Sequence, residues 1–226
     1  MGCGNGAFIE HIYTVIERQT RRGKMLDEYP LFLVGADYNQ AALKVTRANL
    51  IKADIWAKVI WGDIGQLALL ANDLLDNYNI DLKDLLNVRT FLYHNRIWEM
   101  PKHFTNDRVS HSTGAFAHRG QLISNSLVEY NLLEHLIKRS SYVQKFGLLM
   151  IELHTIAPNL TAANLGNTAP TACDATHGFS DEYIVEIHAL HKIAAEAGLF
   201  PDTNFFRRFP DAVIATVSIN LLKGIG

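Results

Sequence analysis

Cysteine and proline are scarce in this chain, and no long apolar run occurs. The two cysteines, Cys3 and Cys173, are too few for a disulfide framework and point to a reducing compartment. The chain contains no stretch of about 18 uninterrupted apolar residues, so a membrane span is not expected. Nor is there a basic segment leading into an apolar one at the start, so a secretory leader is not expected. There is no basic excess either: 21 Lys and Arg stand against 23 Asp and Glu, a net charge of −2. A chain so balanced cannot neutralise a run of phosphates, which argues against nucleic-acid binding. What is present is apolar: 48% hydrophobic and 19% charged residues over 226 positions. That composition buries a sizeable core and suits one large domain, expected in the cytoplasm.

Strand and helix patterns alternate along the chain. An amphipathic stretch built on Phe8, Ile9, Ile12, Tyr13, Val15 and Ile16 predicts a helix to about Arg22. Leu31–Ala36 reads as a buried strand ended by Asp37, and Asn39 caps a helix to about Asp54. Lys58–Trp61 is a short strand, Gln66–Tyr78 a helix, and Leu85–Leu92 a further strand. Residues 94–120 form a polar, histidine-rich loop, followed by a helix from about Leu122 to Arg139. Leu148–Leu153 is the clearest strand, and 155–180 a second long loop. Loops of that length in a compact domain favour function. A helix from Asp181 to Ala197 and a hairpin of Phe205–Phe209 with Ala212–Leu222 close the chain. The order predicts a doubly wound α/β sheet, Rossmann-like, mostly parallel with an antiparallel C-terminal hairpin. Ligands then bind beyond the carboxyl ends of the strands.

The chain opens on Gly2-Cys3-Gly4-Asn5-Gly6, directly before the first helix. Three alternating glycines make a tight turn, or let backbone approach a ligand closely. Asp37, at the end of the next strand, can accept both ribose hydroxyls of an adenosine. Asp63, in Gly62-Asp63-Ile64, can accept from an adenine amino group, and Tyr38 can pack against the ring. A nicotinamide dinucleotide would prefer Gly-x-Gly-x-x-Gly; the shorter spacing favours S-adenosylmethionine. Gly2, Gly4, Gly6, Asp37, Tyr38, Asp63 and Ile64 are thus the candidate cofactor contacts. With these residues the chain resembles class I S-adenosylmethionine-dependent methyltransferases. The resemblance implies a strand just before the glycine loop, so the sheet is expected to lack its first strand here and the parent to extend upstream.

Four further segments are unusual: Asn87–Arg96, His111–Phe116, Glu152–Thr155 and Asp174–Asp181. Together with the glycine loop they resemble the metal-dependent C-methyltransferase domains of mixed polyketide/peptide synthases, of the apratoxin starter-unit type. The resemblance covers Gly2 to Lys223. It implies methylation at the α-carbon of a malonyl-type unit carried by an acyl carrier protein, among other synthase domains, with an iron(II) or manganese(II) ion. Two imidazoles and a carboxylate beside open positions are a non-haem iron ligand set, and His154, His177 and Glu182 are the candidates. Each has a plainer reading: a hydrogen-bonded strand-end His, a loop His, and an acid in the first turn of a helix.

A carbon nucleophile must first lose a proton, and a metal chelated by the substrate oxygens would stabilise the resulting enolate. A base is also needed, and His94, His111 and His118 are eligible. Arg96 can bind a substrate carboxylate through its bidentate fork. His188 and His191 read as surface residues. An O- or N-methyltransferase without metal, and an inactive module that only binds the cofactor, remain as alternatives.

Overall fold

The computed structural model describes residues 1–167 and 181–224, in two compact units, Met1–Asp73 and Leu74–Gly226.

In the first unit the glycine loop leads into α1 (Ala7–Gln19), followed by β1 (Val34–Asp37), α2 (Gln40–Lys52) and β2 (Lys58–Trp61). The helix ends early, at Gln19, and a 3₁₀ turn over Arg22–Met25 follows. β1 and β2 pair in parallel, Asp37 opposite Trp61. Asn39 caps α2 as its sequence predicts, its side chain accepting from the Ala41 amide. The core is small: Leu43 and Leu50 of α2 meet Ile55 and Val59, with Ile9 and Tyr13 of α1 packed on them. These are the positions that recur at helical spacing, so the apolar face of α1 is turned inward. The next helix, α3 (Leu67–Tyr78), runs across the boundary between the units.

The second unit is built on β3 (Asn87–Thr90), β6 (Leu148–Leu153), β9 (Val217–Gly224) and β7 (Leu199–Pro201), in that spatial order. β3 and β6 are parallel; β9 runs antiparallel to β6, β7 and β8 (Arg207–Phe209). The β8–β9 pair is the predicted closing hairpin. Between β3 and β6 lie the hairpin β4 (Phe116–His118) and β5 (Gln121–Ile123) and the helix α4 (Asn125–Ser140). A short α5 (Pro158–Ala163) falls in the second long loop, and α6 (Ile187–Glu196) precedes β7. The core joins Val128, Leu132 and Leu136 of α4 to Leu148 and Met150 of β6 and Ala189, Leu190 and Ile193 of α6. Truncating Leu136, which is fully buried, to Ala costs about 2–5 kcal/mol.

Two local expectations are corrected. The hairpin was hidden in a polar stretch: Arg119 and Gly120 both take positive φ, 48° and 77°, as a two-residue turn between antiparallel strands requires. The last helix starts at Ile187, not Asp181. Asp181 has φ 55°, and Tyr183, Ile184 and Val185 are buried, the Tyr183 amide donating to the His94 carbonyl at 2.9 Å. Tertiary pull and a β-branched pair thus override helix continuation, and Glu182 is not a first-turn acid.

Candidate cofactor loop and acid–base site

In the first unit the candidate cofactor residues gather at the carboxyl ends of β1 and β2. Gly2, Gly4 and Gly6 all have positive φ. At Gly6 a side chain would also strike Thr46, its Cβ lying 3.1 Å from Thr46 Cγ2. At Gly4 it would meet nothing within 4 Å, so that face of the loop is open. Helix α2 holds the loop from behind: Thr46 Oγ1 donates to the Gly4 carbonyl at 2.8 Å and Asn49 Nδ2 to the Asn5 carbonyl at 2.9 Å. Asp37 holds it in front. Its Oδ2 accepts from the Gly4 amide and its Oδ1 from the Asn39 amide, each at 2.9 Å. Each carboxylate oxygen has two lone pairs, so both retain capacity for further donors. Tyr38 is exposed, with its ring 5.7 Å from that of Trp61. Trp61 Nε1 donates to the Tyr38 carbonyl at 3.0 Å.

Asp63 serves first as a cap. It accepts from the Gly65 amide at 2.7 Å and from Gln66 Nε2 at 3.1 Å, opening the 3₁₀ turn that contains Ile64. The Cys3 thiol is pushed up by burial, lowered in part by its contact with Thr46 and raised again by Asp37. That environment suits a packed thiol rather than a nucleophile.

In the second unit the strand ends bring together two residues 58 apart in sequence. Glu152, on β6, points a carboxylate at the turn after β3. Its Oε2 accepts from the Tyr93 amide at 2.7 Å, and its Oε1 from the Leu153 amide at 2.9 Å. The same Oε1 accepts from His94 Nδ1 at 2.5 Å, and both side chains are 4% exposed. With Nδ1 protonated toward the carboxylate, Nε2 carries the lone pair, and it accepts from Asn95 Nδ2 at 2.9 Å. Glu152 opens the quoted Glu152–Thr155 segment, but sequence reasoning gave it no role: an acid inside an apolar strand, it is the functional candidate that was missed.

The other two candidates do different work. Arg96 is buried and engaged on three sides. Nε donates to Asn131 Oδ1 at 2.5 Å, Nη1 to the carbonyls of Tyr93 at 2.6 Å and Tyr183 at 3.3 Å, and Nη2 to that of Val128 at 3.2 Å. Burial lowers its pKa to about 10, against the pull of Glu152. It ties backbone segments together, and the expectation that it grips a substrate carboxylate is not met. His111 is directed to α6: Lys192 Nζ lies 3.3 Å from its Nδ1, and His188 Nε2 donates to its carbonyl at 3.0 Å. His118 Nδ1 lies 2.7 Å from the Tyr183 hydroxyl.

The loop carrying His111 is hooked by two buried acids. Glu129 accepts from the amides of His111 and Ser112, from Ser110 Oγ, and from Arg108 Nε. Burial pushes its pKa up, but these donors hold it below the ordinary glutamate value. Glu186 accepts from Ser112 Oγ and from the amide and hydroxyl of Thr113.

His154 does not suit the metal role expected of it. Its Nδ1 donates to the Val185 carbonyl at 3.0 Å. Its Nε2 lone pair accepts from the Ser218 hydroxyl at 2.6 Å. Ser218 in turn accepts from Asn220 Nδ2, and Asn220 Oδ1 from His191 Nε2, each at 2.7 Å. So His191, expected at the surface, belongs to this chain of bonds. Burial holds His154 neutral, its pKa lowered to about 4. A metal ligand needs the lone pair that Ser218 occupies. Glu182 is half-buried and has other contacts, and His177 lies outside the described residues. Among the described residues, no three or more His, Cys, Asp or Glu side chains are grouped to hold a metal. Also among them, no helix is long and apolar enough to cross a membrane.

The profile of a family described as the AprA MT2-like domain matches residues 1–220. No curated protein matches the chain. Among solved structures, one described as a pericyclic reaction enzyme superposes with a TM-score of 0.52 at 8% identity, covering 100% of this chain. LepI in complex with SAM gives 0.51 at 8%, again over 100% of this chain. The chain spans 42% of each of those two. Magnesium protoporphyrin IX methyltransferase ChlM from Synechocystis PCC 6803, with bound SAH, gives 0.50 at 7%, over 99% of this chain and 72% of that one. At such identities the likeness is one of fold, and it agrees with the Rossmann-like reading. With a family profile matched over nearly its whole length, the chain belongs to the AprA MT2-like domain family and is an S-adenosylmethionine-dependent methyltransferase.

Proposed function

We propose that this domain methylates the α-carbon of a malonyl-type acyl thioester presented by an acyl carrier protein, within a polyketide-forming assembly. The observation that carries the reading is the buried His94–Glu152 pair. A carbon acid, unlike an amine, needs a base before it can accept a methyl group.

The glycine loop and Asp37 suit the cofactor. The loop presents backbone without side chains, and Asp37 retains lone pairs for ribose hydroxyls. The N-terminus of α1, opening at Ala7, favours a carboxylate. S-adenosylmethionine, when bound, supplies an electrophilic sulfonium methyl. His94 Nε2 is the atom that takes the α-proton, replacing its resting bond from Asn95. Glu152 holds the opposite nitrogen protonated and stabilises the imidazolium as it forms. Because the His154 lone pair is already engaged, no step is routed through a metal.

The test uses a carrier-bound malonyl-type thioester and cofactor with a ¹³C-labelled methyl group. The expected product carries the label on carbon, and His94→Ala abolishes its formation while S-adenosylhomocysteine still binds. Label on oxygen or nitrogen, or normal turnover by His94→Ala, would overturn the reading. Metal analysis of the active protein, with a chelator arm, decides whether iron or manganese contributes.

A further inference from the structure

Asn95 stands exposed between two buried side chains, His94 and Arg96. The turn that carries it is held at three points. Glu152 accepts from the Tyr93 amide, the Tyr93 carbonyl accepts from Arg96 Nη1, and the His94 carbonyl accepts from the Tyr183 amide. The Asn95 side chain itself makes one hydrogen bond, from Nδ2 to His94 Nε2 at 2.9 Å. Among the described residues its second amide hydrogen and its Oδ1 have no partner. A fixed backbone therefore carries a carboxamide that can turn about its own side-chain bonds, parked on the proposed base.

The chemistry of the pair fixes which end of the amide meets the ring. An ionised Glu152 only accepts, so Nδ1 holds the hydrogen, Nε2 holds the lone pair, and an N–H must face it. That bond lasts only while His94 is neutral. Once Nε2 has taken a proton it is itself a donor, and Asn95 Nδ2 has to let go. The α-carbon that gave up the proton is two bonds from the thioester oxygen, where the enolate charge collects. A donor already touching Nε2 is placed to reach that oxygen.

We propose, taking His94 as the base, that Asn95 is a further catalytic residue. Its Nδ2–H passes from His94 Nε2 to the thioester oxygen as the enolate forms. In this step the C–H pair becomes the carbon–carbon π bond, the carbonyl π pair moves to oxygen, and the proton goes to Nε2. The enolate carbon then takes the methyl group, the carbon–sulfur bond pair stays on sulfur, and the oxygen returns to a carbonyl. The imidazolium gives its proton to solvent, and Asn95 swings back to Nε2. One preorganised donor aimed at a developing oxyanion is worth about 10²–10³-fold in rate.

The test follows deuterium uptake from heavy water at the α-carbon of a carrier-bound malonyl-type thioester. S-adenosylhomocysteine replaces the methyl donor, so proton removal is read alone. Asn95→Ala should lower catalysed uptake about 10²–10³-fold, with Tm near native because the side chain is exposed. Asn95→Asp, which accepts but cannot donate, should fall as far. Asn95→Gln keeps the donor on a longer stem and should recover part. An amide that merely covers the base gives the opposite sign, since its loss bares Nε2. Uptake undiminished or faster in Asn95→Ala, with His94→Ala inactive, would overturn the donor role and leave the base standing. Native-like uptake in Asn95→Asp would do the same. Native-like uptake in His94→Ala, or none in the native chain, would overturn the base and the donor role with it.

Discussion

His94 Nδ1 lies 2.5 Å from Glu152 Oε1, inside the protein and across 58 residues of sequence. The two side chains act as one group, so their substitutions are expected to be non-additive. Glu152→Gln keeps the shape but offers the wrong partner to Nδ1–H. It should lower kcat by roughly 10²–10⁴-fold with little change in cofactor affinity. Single-turnover kinetics on Glu152→Gln, His94→Ala and the double variant check this; simple addition of the two losses would refute it.

Asp37 is expected to govern cofactor affinity. Asp37→Ala removes a charged acceptor and releases the Gly4 and Asn39 amides. The loss should be about 1.5–3 kcal/mol, or roughly 10- to 100-fold in Kd. Calorimetric titration with S-adenosylhomocysteine measures it.

Arg96 should act on stability rather than on substrate binding. Arg96→Ala leaves Asn131 and three backbone carbonyls without their donor. The expected cost is about 3–5 kcal/mol, or roughly 10 °C in Tm. Arg96→Lys cannot reproduce the fork and should recover only part of it. A raised KM with unchanged Tm would show the reverse role.

Stability should fall on acidification through the pKa of unfolded histidine. His154 is held neutral, its folded pKa near 4 against an ordinary 6.5. The unfolded chain therefore binds the proton first. The stabilising contribution is complete above about pH 6.5 and disappears progressively toward pH 4, amounting to about 3 kcal/mol. His135 shifts in the same direction and adds to the slope. Urea unfolding of the native chain and His154→Asn across that range tests this: the variant should show the flatter profile.

Two strands were legible to the residue, while β1 and β3 stand at Val34–Asp37 and Asn87–Thr90, inside or shifted from the segments read for them. β2 and β6 stand at Lys58–Trp61 and Leu148–Leu153 as read, because a buried strand declares itself locally. The glycine loop and Asp37 meet because the loop lies along the end of the next strand, the Cys3 amide donating to the Ala36 carbonyl. What escaped was long-range. Arg96 reads as a loop cation, yet it finds acceptors from Asn131 and Val128 only once α4 packs nearby. His154 looked like a ligand because nothing in its neighbourhood announces Ser218, 64 residues later. Glu152 was passed over because a charge within an apolar strand has no local explanation.

The hydrogen-bonded series from His191 through Asn220 and Ser218 to His154 also decides how β9 lies in its sheet. The inward face of that strand carries Ser218, Asn220 and Leu222, the outer face Ile219 and Leu221. Hydrophobicity alone would favour a slip of one residue, exchanging two polar side chains for two aliphatic ones. Such a slip would break the bonds of Ser218 to His154 Nε2 and of Asn220 to Ser218 and His191, a loss larger than the apolar gain. Polar residues in the interior thus make one strand register unique, at the place where a purely greasy strand would have admitted two.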